Sequence, residues 1–271
     1  MEPRLQRRVQ RYGWDKASVF YEDSWKEQLK PAQDMLLKLA GLNPGDRVLE
    51  TACGTGLVTM RIAEKVGTNG RVVATDLSDS MIQIAAENIK EKNIDNVTFQ
   101  RMDSENLEFD DEQFEATISS LGMMYVPDPV RSLKEKYRVL KPGGQTAVVI
   151  WGERKNCGWA DIFPIVDKRV KTDVCPMFFQ QGTGNALKFS LQEAGFKDLQ
   201  IERFSATIYY PNDELAVMAA FAGGPVALAY QKFDEQTKME AHQEYLDSIS
   251  PYKNEKGYKI PGEFVAATAV K

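Results

Sequence analysis

The sequence predicts an α/β fold built on a doubly wound, mostly parallel sheet, and three observations carry that expectation. Across residues 47–151, apolar β-branched segments alternate with amphipathic ones, the pattern of parallel strands joined by right-handed helical crossovers. Within it, Val48-Leu49-Glu50-Thr51-Ala52-Cys53-Gly54-Thr55-Gly56 runs an apolar strand into a loop of small residues and then a helix-like segment. A second buried-type strand then ends in Asp76, about 20 residues beyond the loop, the offset at which an acid reaches ribose hydroxyls in such sheets. Ligands of doubly wound sheets bind beyond the carboxyl ends of the strands, and all three features converge there.

The elements follow in chain order. Residues 1–44 read as helical in two or three pieces, with Trp14, Tyr21 and Trp25 recurring on one helical face. Arg4, Arg7, Arg8 and Arg11 give this segment a basic start that reads as a solvated helical face. A membrane-surface helix or transit peptide is the competing reading, which Glu2 and Asp15 weaken. Lys30-Pro31 opens a helix that ends at Gly41. Asn43-Pro44-Gly45-Asp46 then turns the chain into strands expected at 47–50, 71–75, 97–101, 114–119 and 145–150, with helices at 57–66, 79–92 and 129–139. Beyond Trp151 come a loop and helix at 156–174, an apolar patch from Cys175 through Pro176 to Phe179, and a break at Gly182-Thr183-Gly184. A helix ending at Ala194-Gly195 precedes a strand at 199–209; helices at 213–222 and 226–249 flank Gly223-Gly224-Pro225, and a strand at 263–270 closes the chain.

Composition narrows the function. A chain of 271 residues suits one α/β domain with an added cap, and a net charge of −5 argues against a dedicated nucleic-acid binder. The three cysteines, Cys53, Cys157 and Cys175, make an odd count without a Cys-x-x-Cys pair, so neither a disulfide framework nor a zinc site is expected. A reducing cytoplasm fits. No apolar run approaches a bilayer span, and no signal-like segment opens the chain.

The loop sets the ligand chemistry. Small residues at Ala52, Gly54 and Gly56 let a ligand approach peptide N–H groups at the start of a helix. Glu50, standing before them, would repel a pyrophosphate and suits a ligand carrying an ammonium group. A nicotinamide or nucleotide-sugar enzyme is thereby disfavoured. Asp76 is the ribose candidate, taken as an exposed strand-end acid.

Four motifs in register resemble those of the class I S-adenosylmethionine-dependent methyltransferases, in particular the type 11 small-molecule branch that includes the ubiquinone and menaquinone C-methyltransferases. They are residues 48–56, Ala74-Thr75-Asp76-Leu77-Ser78 with Met81, Met102-Asp103-Ser104, and Arg138-Val139-Leu140-Lys141-Pro142-Gly143-Gly144. Ala52 departs from the glycine commoner in the family, and fits there if its φ stays below zero. The resemblance implies a seven-stranded Rossmann-like sheet whose last two strands form an antiparallel hairpin. It also implies a helical lid at 1–44, a core at 45–210, a helical substrate cap at 211–261 and a last strand at 262–271.

It further implies S-adenosyl-L-methionine as cofactor. Glu50 would face the amino group of its methionine moiety and Asp76 would accept from both ribose hydroxyls. Asp103 would accept from the adenine amino group, and the Ser104 N–H would donate to a ring nitrogen. Leu77 and Met81 would cover adenine, Met81 being equally readable as core, and backbone carbonyls of Ser119, Ser120 and Leu121 would lie near the amino group. Tyr21 would close over the site. The resulting expectation is a methyltransferase acting on a small molecule through an O, N, S or C nucleophile, as a monomer or homodimer, without stable membrane insertion. A non-catalytic cofactor-binding regulator is the alternative. No metal and no catalytic base is assigned; His242, between Glu240 and Glu244, reads as a surface residue. Met218, Phe221, Tyr230 and Phe233 of the cap, with Trp151, Trp159 and Phe179, read as either pocket lining or core. Cys157 and Cys175 could meet as thiolate ligands for a metalloid substrate.

Overall fold

The chain enters through two helices, α1 (Pro3–Trp25) and α2 (Lys30–Leu39), in a computed structural model that describes residues 2–170, 175 and 177–271. Residues 171–174 and Pro176, which belong to the helix and apolar patch expected there, lie outside the described residues. Helix α1 runs unbroken and α2 follows it, so the segment before the first strand is helical in two pieces. The one glycine of α1, Gly13, is buried without breaking the helix, and a β-carbon there would stand at an ordinary contact distance of 3.7 Å from the Leu228 side chain.

Strand and helix then alternate as expected: β1 (Arg47–Thr51), α3 (Leu57–Val66), β2 (Arg71–Asp76), α4 (Asp79–Glu91), β3 (Val97–Arg101), β4 (Phe114–Ser120), α5 (Pro129–Val139) and β5 (Leu140–Trp151). The second half adds α6 (Ile162–Asp167), α7 (Ala186–Glu193), β6 (Lys197–Tyr210), α8 (Asp213–Val217), α9 (Ala227–Tyr230), α10 (Glu235–Ile249), the two-residue β7 (Lys253–Asn254) and β8 (Gly257–Val270). The sheet order is β3-β2-β1-β4-β5-β8-β6, with β7 paired to β8. Strands β1 to β5 are parallel, whereas β8 runs antiparallel between β5 and β6. This is the doubly wound sheet of seven main strands with a closing hairpin, and the order reverses between β1 and β4.

Three boundaries differ from the sequence reading for identifiable reasons. Strand β5 starts at Leu140, before the Pro-Gly-Gly turn, because that turn is absorbed as an irregularity between the Phe114–Leu140 and Ala116–Gln145 pairs. Strand β8 starts at Gly257 and runs through Pro261, which ordinarily argues against a strand. Pro261 is tolerated because β8 there pairs only with β6, its pairing with β5 starting at Phe264. The helix expected at 226–249 is two, since Asp234 caps α10 by accepting from the Thr237 N–H at 2.8 Å. A π-helical turn, Met218–Ala222, extends α8 to the Gly223-Gly224 break.

Helix α1 lies across the carboxyl end of the β2 side of the sheet and is fastened there by side chains. Arg11 pairs with Asp79, the Asp15 carboxylate accepts from the Ser78 hydroxyl at 2.6 Å, and the Asn88 amide donates to Glu22 at 2.7 Å. At its end, buried Trp25 donates its indole N–H to the Gly223 carbonyl at 3.0 Å. The basic start therefore divides: Arg4 and Arg8 are exposed, as a solvated face requires, whereas Arg7 and Arg11 turn toward carboxylates. No helix among the described residues is long and apolar enough to cross a membrane.

Candidate active site

At the ends of β1, β2 and β4, beneath α1, lies a cleft that with the open solvent at its mouth spans about 1070 Å³. Its polar wall carries Arg7, Asp76, Asp103, Ser104 and Glu105. The apolar part of its lining is a cluster of touching rings, Trp25, Tyr125, Trp151, Trp159 and Phe178. Of the residues singled out in the sequence, Tyr21, Ala52, Gly54, Asp76, Leu77, Met81, Asp103, Ser104 and Ser120 line this one cleft. Glu50 and Gly56 do not.

The loop after β1 explains the difference. Gly54 has φ +56, and its N–H donates to Asp76 at 2.9 Å, joining the loop to the end of β2. Gly56 has φ +86 at the start of α3, and a β-carbon there would lie 3.2 Å from that of Ala85, so this glycine admits close packing of α3 on α4. Ala52 contradicts the expectation of a negative φ: its φ is +56, the left-handed region. Its methyl group covers Gly122, where an added β-carbon would come within 2.3 Å of it. An L-residue other than glycine is strained there by roughly 1 kcal/mol. Ala52→Gly is therefore expected to raise stability by up to about 1 kcal/mol, less the added freedom of the unfolded chain, as read by urea denaturation.

Asp76 is buried rather than an exposed strand-end acid. Burial raises its pKa, opposed by N–H donors from Ser78 and Gly54, each at 2.9 Å. Each oxygen thus holds at least one backbone donor, the Leu77 N–H adding to them, and the acceptor capacity left is open to ligand hydroxyls. Removing the carboxylate orphans the N–H groups of Gly54 and Ser78 and takes a partner from that of Leu77, so its stability cost is about 1–3 kcal/mol, more than an exposed acid would give.

Glu50 is fully buried behind the loop. Its Oε2 accepts from the Thr59 hydroxyl at 2.5 Å, while Oε1 has no partner among the described residues. Burial pushes the carboxyl up to about 8, which the Thr59 bond opposes. A neutral acid behind the cleft, ready to ionise toward a cation, is the physical state this describes.

Arg7, which the sequence reading left among the solvent-facing cations, pairs at 2.8 Å with both Asp103 and Glu105. Its signal was present in the spacing Arg7, Arg11, Asp15 on one side of α1. Tyr21 lies against Trp14 edge-to-face, 5.9 Å between ring centres, and burial holds its phenol well above the ordinary tyrosine range. Met81 is both cleft lining and core.

The aromatic ambiguities now divide. Trp151 and Trp159 line the cleft with their ring centres 4.7 Å apart, joined by Phe178 rather than Phe179. Met218, Phe221, Tyr230 and Phe233 stay outside it, and of the segment 211–261 only Pro225 lines it. His242 shares a 2.9 Å hydrogen bond with the Tyr230 hydroxyl, away from the cleft, and burial lowers its pKa. Cys157 contacts the Glu263 carbonyl and Cys175 accepts from Gln10 at 3.4 Å; no metal-binding cluster of three His, Cys, Asp or Glu exists among the described residues.

A cleft at the strand-order reversal, with glycines against an acid-tipped second strand, defines the class: the Rossmann-like fold of the S-adenosylmethionine-dependent methyltransferases. The chain belongs to the ubiE/COQ5 methyltransferase family, whose model matches residues 22–177. A demethylmenaquinone methyltransferase from Staphylococcus carnosus is 30% identical over 196 residues, 67% of this chain and 80% of that protein. One from Listeria welshimeri is 35% identical over 127 residues, 47% of this chain and 54% of that protein, so the chain spans about half the length of the first curated relatives it matches. A crystal structure titled a putative methyltransferase from Bacillus halodurans shares the fold, with a TM-score of 0.63 and 22% identity over 88% of this chain and 98% of that one.

Proposed function

We propose that this chain transfers a methyl group from S-adenosyl-L-methionine to a small apolar acceptor, the observation that carries the reading being one cleft with a polar, acid-lined wall and an aromatic cluster. The polar wall fits the cofactor. Asp76 offers lone pairs suited to a vicinal diol, Asp103 and the Ser104 N–H offer an acceptor and a donor for a heteroaromatic edge, and Leu77 and Met81 offer flat apolar contact. Glu50 and the carbonyls near Ser119 and Ser120 favour an ammonium group. When bound, the cofactor supplies a methyl group made electrophilic by its sulfonium.

The chain's own part is to orient the acceptor and exclude water. Tyr21 and the rest of α1 act as the lid over residues 45–210, and the segment 211–261 acts as the cap. The names of the demethylmenaquinone methyltransferases support an acceptor of the quinol type, and the Trp25, Trp151, Trp159 and Phe178 rings suit a planar ring system. Trp159 adds a buried indole N–H with no partner among the described residues, suited to an acceptor oxygen. The chain works as a monomer or homodimer in the cytoplasm and takes no nucleic acid.

Calorimetric titration with S-adenosylmethionine, S-adenosylhomocysteine and NAD tests the cofactor. Micromolar binding of the two adenosyl ligands alone is expected, with a loss of at least about 100-fold in Asp76→Ala. Tight NAD binding, or an unchanged Asp76→Ala, overturns the assignment. The second reading, a cofactor-binding protein without turnover, rests on the described lining of the cleft lacking histidine and on burial raising the Tyr21 and Tyr125 phenols, which keeps both protonated and unfit as bases. Methylated product from a naphthohydroquinone acceptor decides between the two.

A further inference from the structure

Lys136 is a fully buried cation on α5 with no ion-pair partner among the described residues. Its ammonium touches two side chains, the Ser132 hydroxyl at 3.0 Å and the Met123 sulfur at 3.6 Å. Ser132 is itself fully buried and lies 3.1 Å from the Ser104 hydroxyl. Ser104 and Met123 both line the cleft, so the buried amine meets the cleft wall at two points. An interior ammonium is costly, and a methionine would fill the same space without that cost.

We propose that Lys136 is a positioning residue that acts through Ser132 to fix the Ser104 hydroxyl as a hydrogen-bond donor into the cleft, where it selects a ligand with a ring-nitrogen acceptor. The polarity follows from donor inventory. Below about pH 7, where Lys136 is an ammonium with protons and no lone pair, Ser132 must accept from it. Ser132 then has one proton to give, and the Ser104 oxygen is a better acceptor than the Met123 sulfur, 3.6 Å away. With its oxygen engaged in accepting, Ser104 has its own proton left, and no acceptor for it exists among the described residues. A neutral residue at position 136 would leave both hydroxyls free to reverse, and the cleft wall would lose its fixed sense.

The inference rests on the adenosyl cofactor reading and adds a side-chain donor to the backbone contact of Ser104. Its test is calorimetric binding of S-adenosylhomocysteine and its 1-deaza, 3-deaza and 7-deaza analogues to the full chain and to Ser104→Ala, Ser132→Ala and Lys136→Met. The wild type is expected to lose about fivefold, the size of one neutral hydrogen bond, on the analogue that lacks the nitrogen met by the Ser104 hydroxyl. The Ser104 backbone N–H meets a second nitrogen, whose analogue loses affinity in every chain alike. Each variant is expected to lose about as much on the parent ligand and nothing further on the analogue that lacks the hydroxyl's nitrogen. Equal weakening of all four ligands by Lys136→Met means a structural residue and overturns the proposal, as does unchanged discrimination in that variant. A wild-type chain that binds none of the four overturns the cofactor assignment itself.

Discussion

Replacing Glu50 with glutamine is expected to stabilise the free protein at pH 7 by about 2 kcal/mol while weakening its hold on S-adenosylmethionine. The carboxyl sits fully buried with one oxygen bonded to Thr59 and the other unpaired, and burial raises it to about 8 from an ordinary 4.5. A raised carboxyl makes the fold bind a proton that the unfolded chain has lost. Its contribution is therefore fully present below pH 4.5 and is lost as pH rises through about 8, at up to about 1.4 kcal/mol per unit. Glutamine keeps the shape and an oxygen for Thr59, and removes that slope. The ligand reverses the preference: an ammonium brought near Glu50 favours its ionised form. Binding by the wild type at pH 7 should release close to one proton, and by Glu50→Gln none. Titration in buffers of different ionisation enthalpy reads this directly. Equal proton release from both chains would separate Glu50 from the ligand's amino group.

This also shows what the sequence could disclose. An acid followed by Ala-x-Gly-x-Gly and a second acid closing the next strand placed the cleft, because loop geometry and strand ends are local properties of the chain. Burial is not local. Glu50 and Asp76 both looked like strand-end acids, yet Glu50 is closed off by α3 through Thr59, and Asp76 is held by the N–H groups of two separate loops. The same holds for Arg7, whose partners Asp103 and Glu105 lie almost a hundred residues away. Ala52 was misjudged for a related reason: nothing in its neighbours reveals that Gly122 leaves room for its methyl group in a left-handed turn. The segment 211–261 was the least legible part. Its aromatic spacing could not distinguish a pocket from a core, and the rings that line the cleft came instead from around Trp151, Trp159 and Phe178.

Lys136→Met should raise stability by about 2–4 kcal/mol near pH 7, the scale on which apolar residues outperform buried charges. In the fold Lys136 is lowered to about 7 by burial, against 10.5 for the ordinary side chain. Between those values the unfolded chain holds a proton that the fold has released, so the lysine's contribution grows as pH rises toward 10.5 and is lost as pH falls through about 7. This slope opposes that of Glu50, and in the wild type the two offset each other between pH 7 and 8. Subtracting the denaturation curves of the wild type and the methionine variant at each pH isolates Lys136 from the other titrating groups. The stability gap should be widest below pH 7 and narrow by about 1.4 kcal/mol per unit above it. A gap that does not change with pH would mean the ammonium is solvated in the fold. A sloping gap together with lost discrimination among the deaza ligands would mean that the protein gives up stability at position 136 to hold one hydroxyl in a fixed sense at the wall of its cleft.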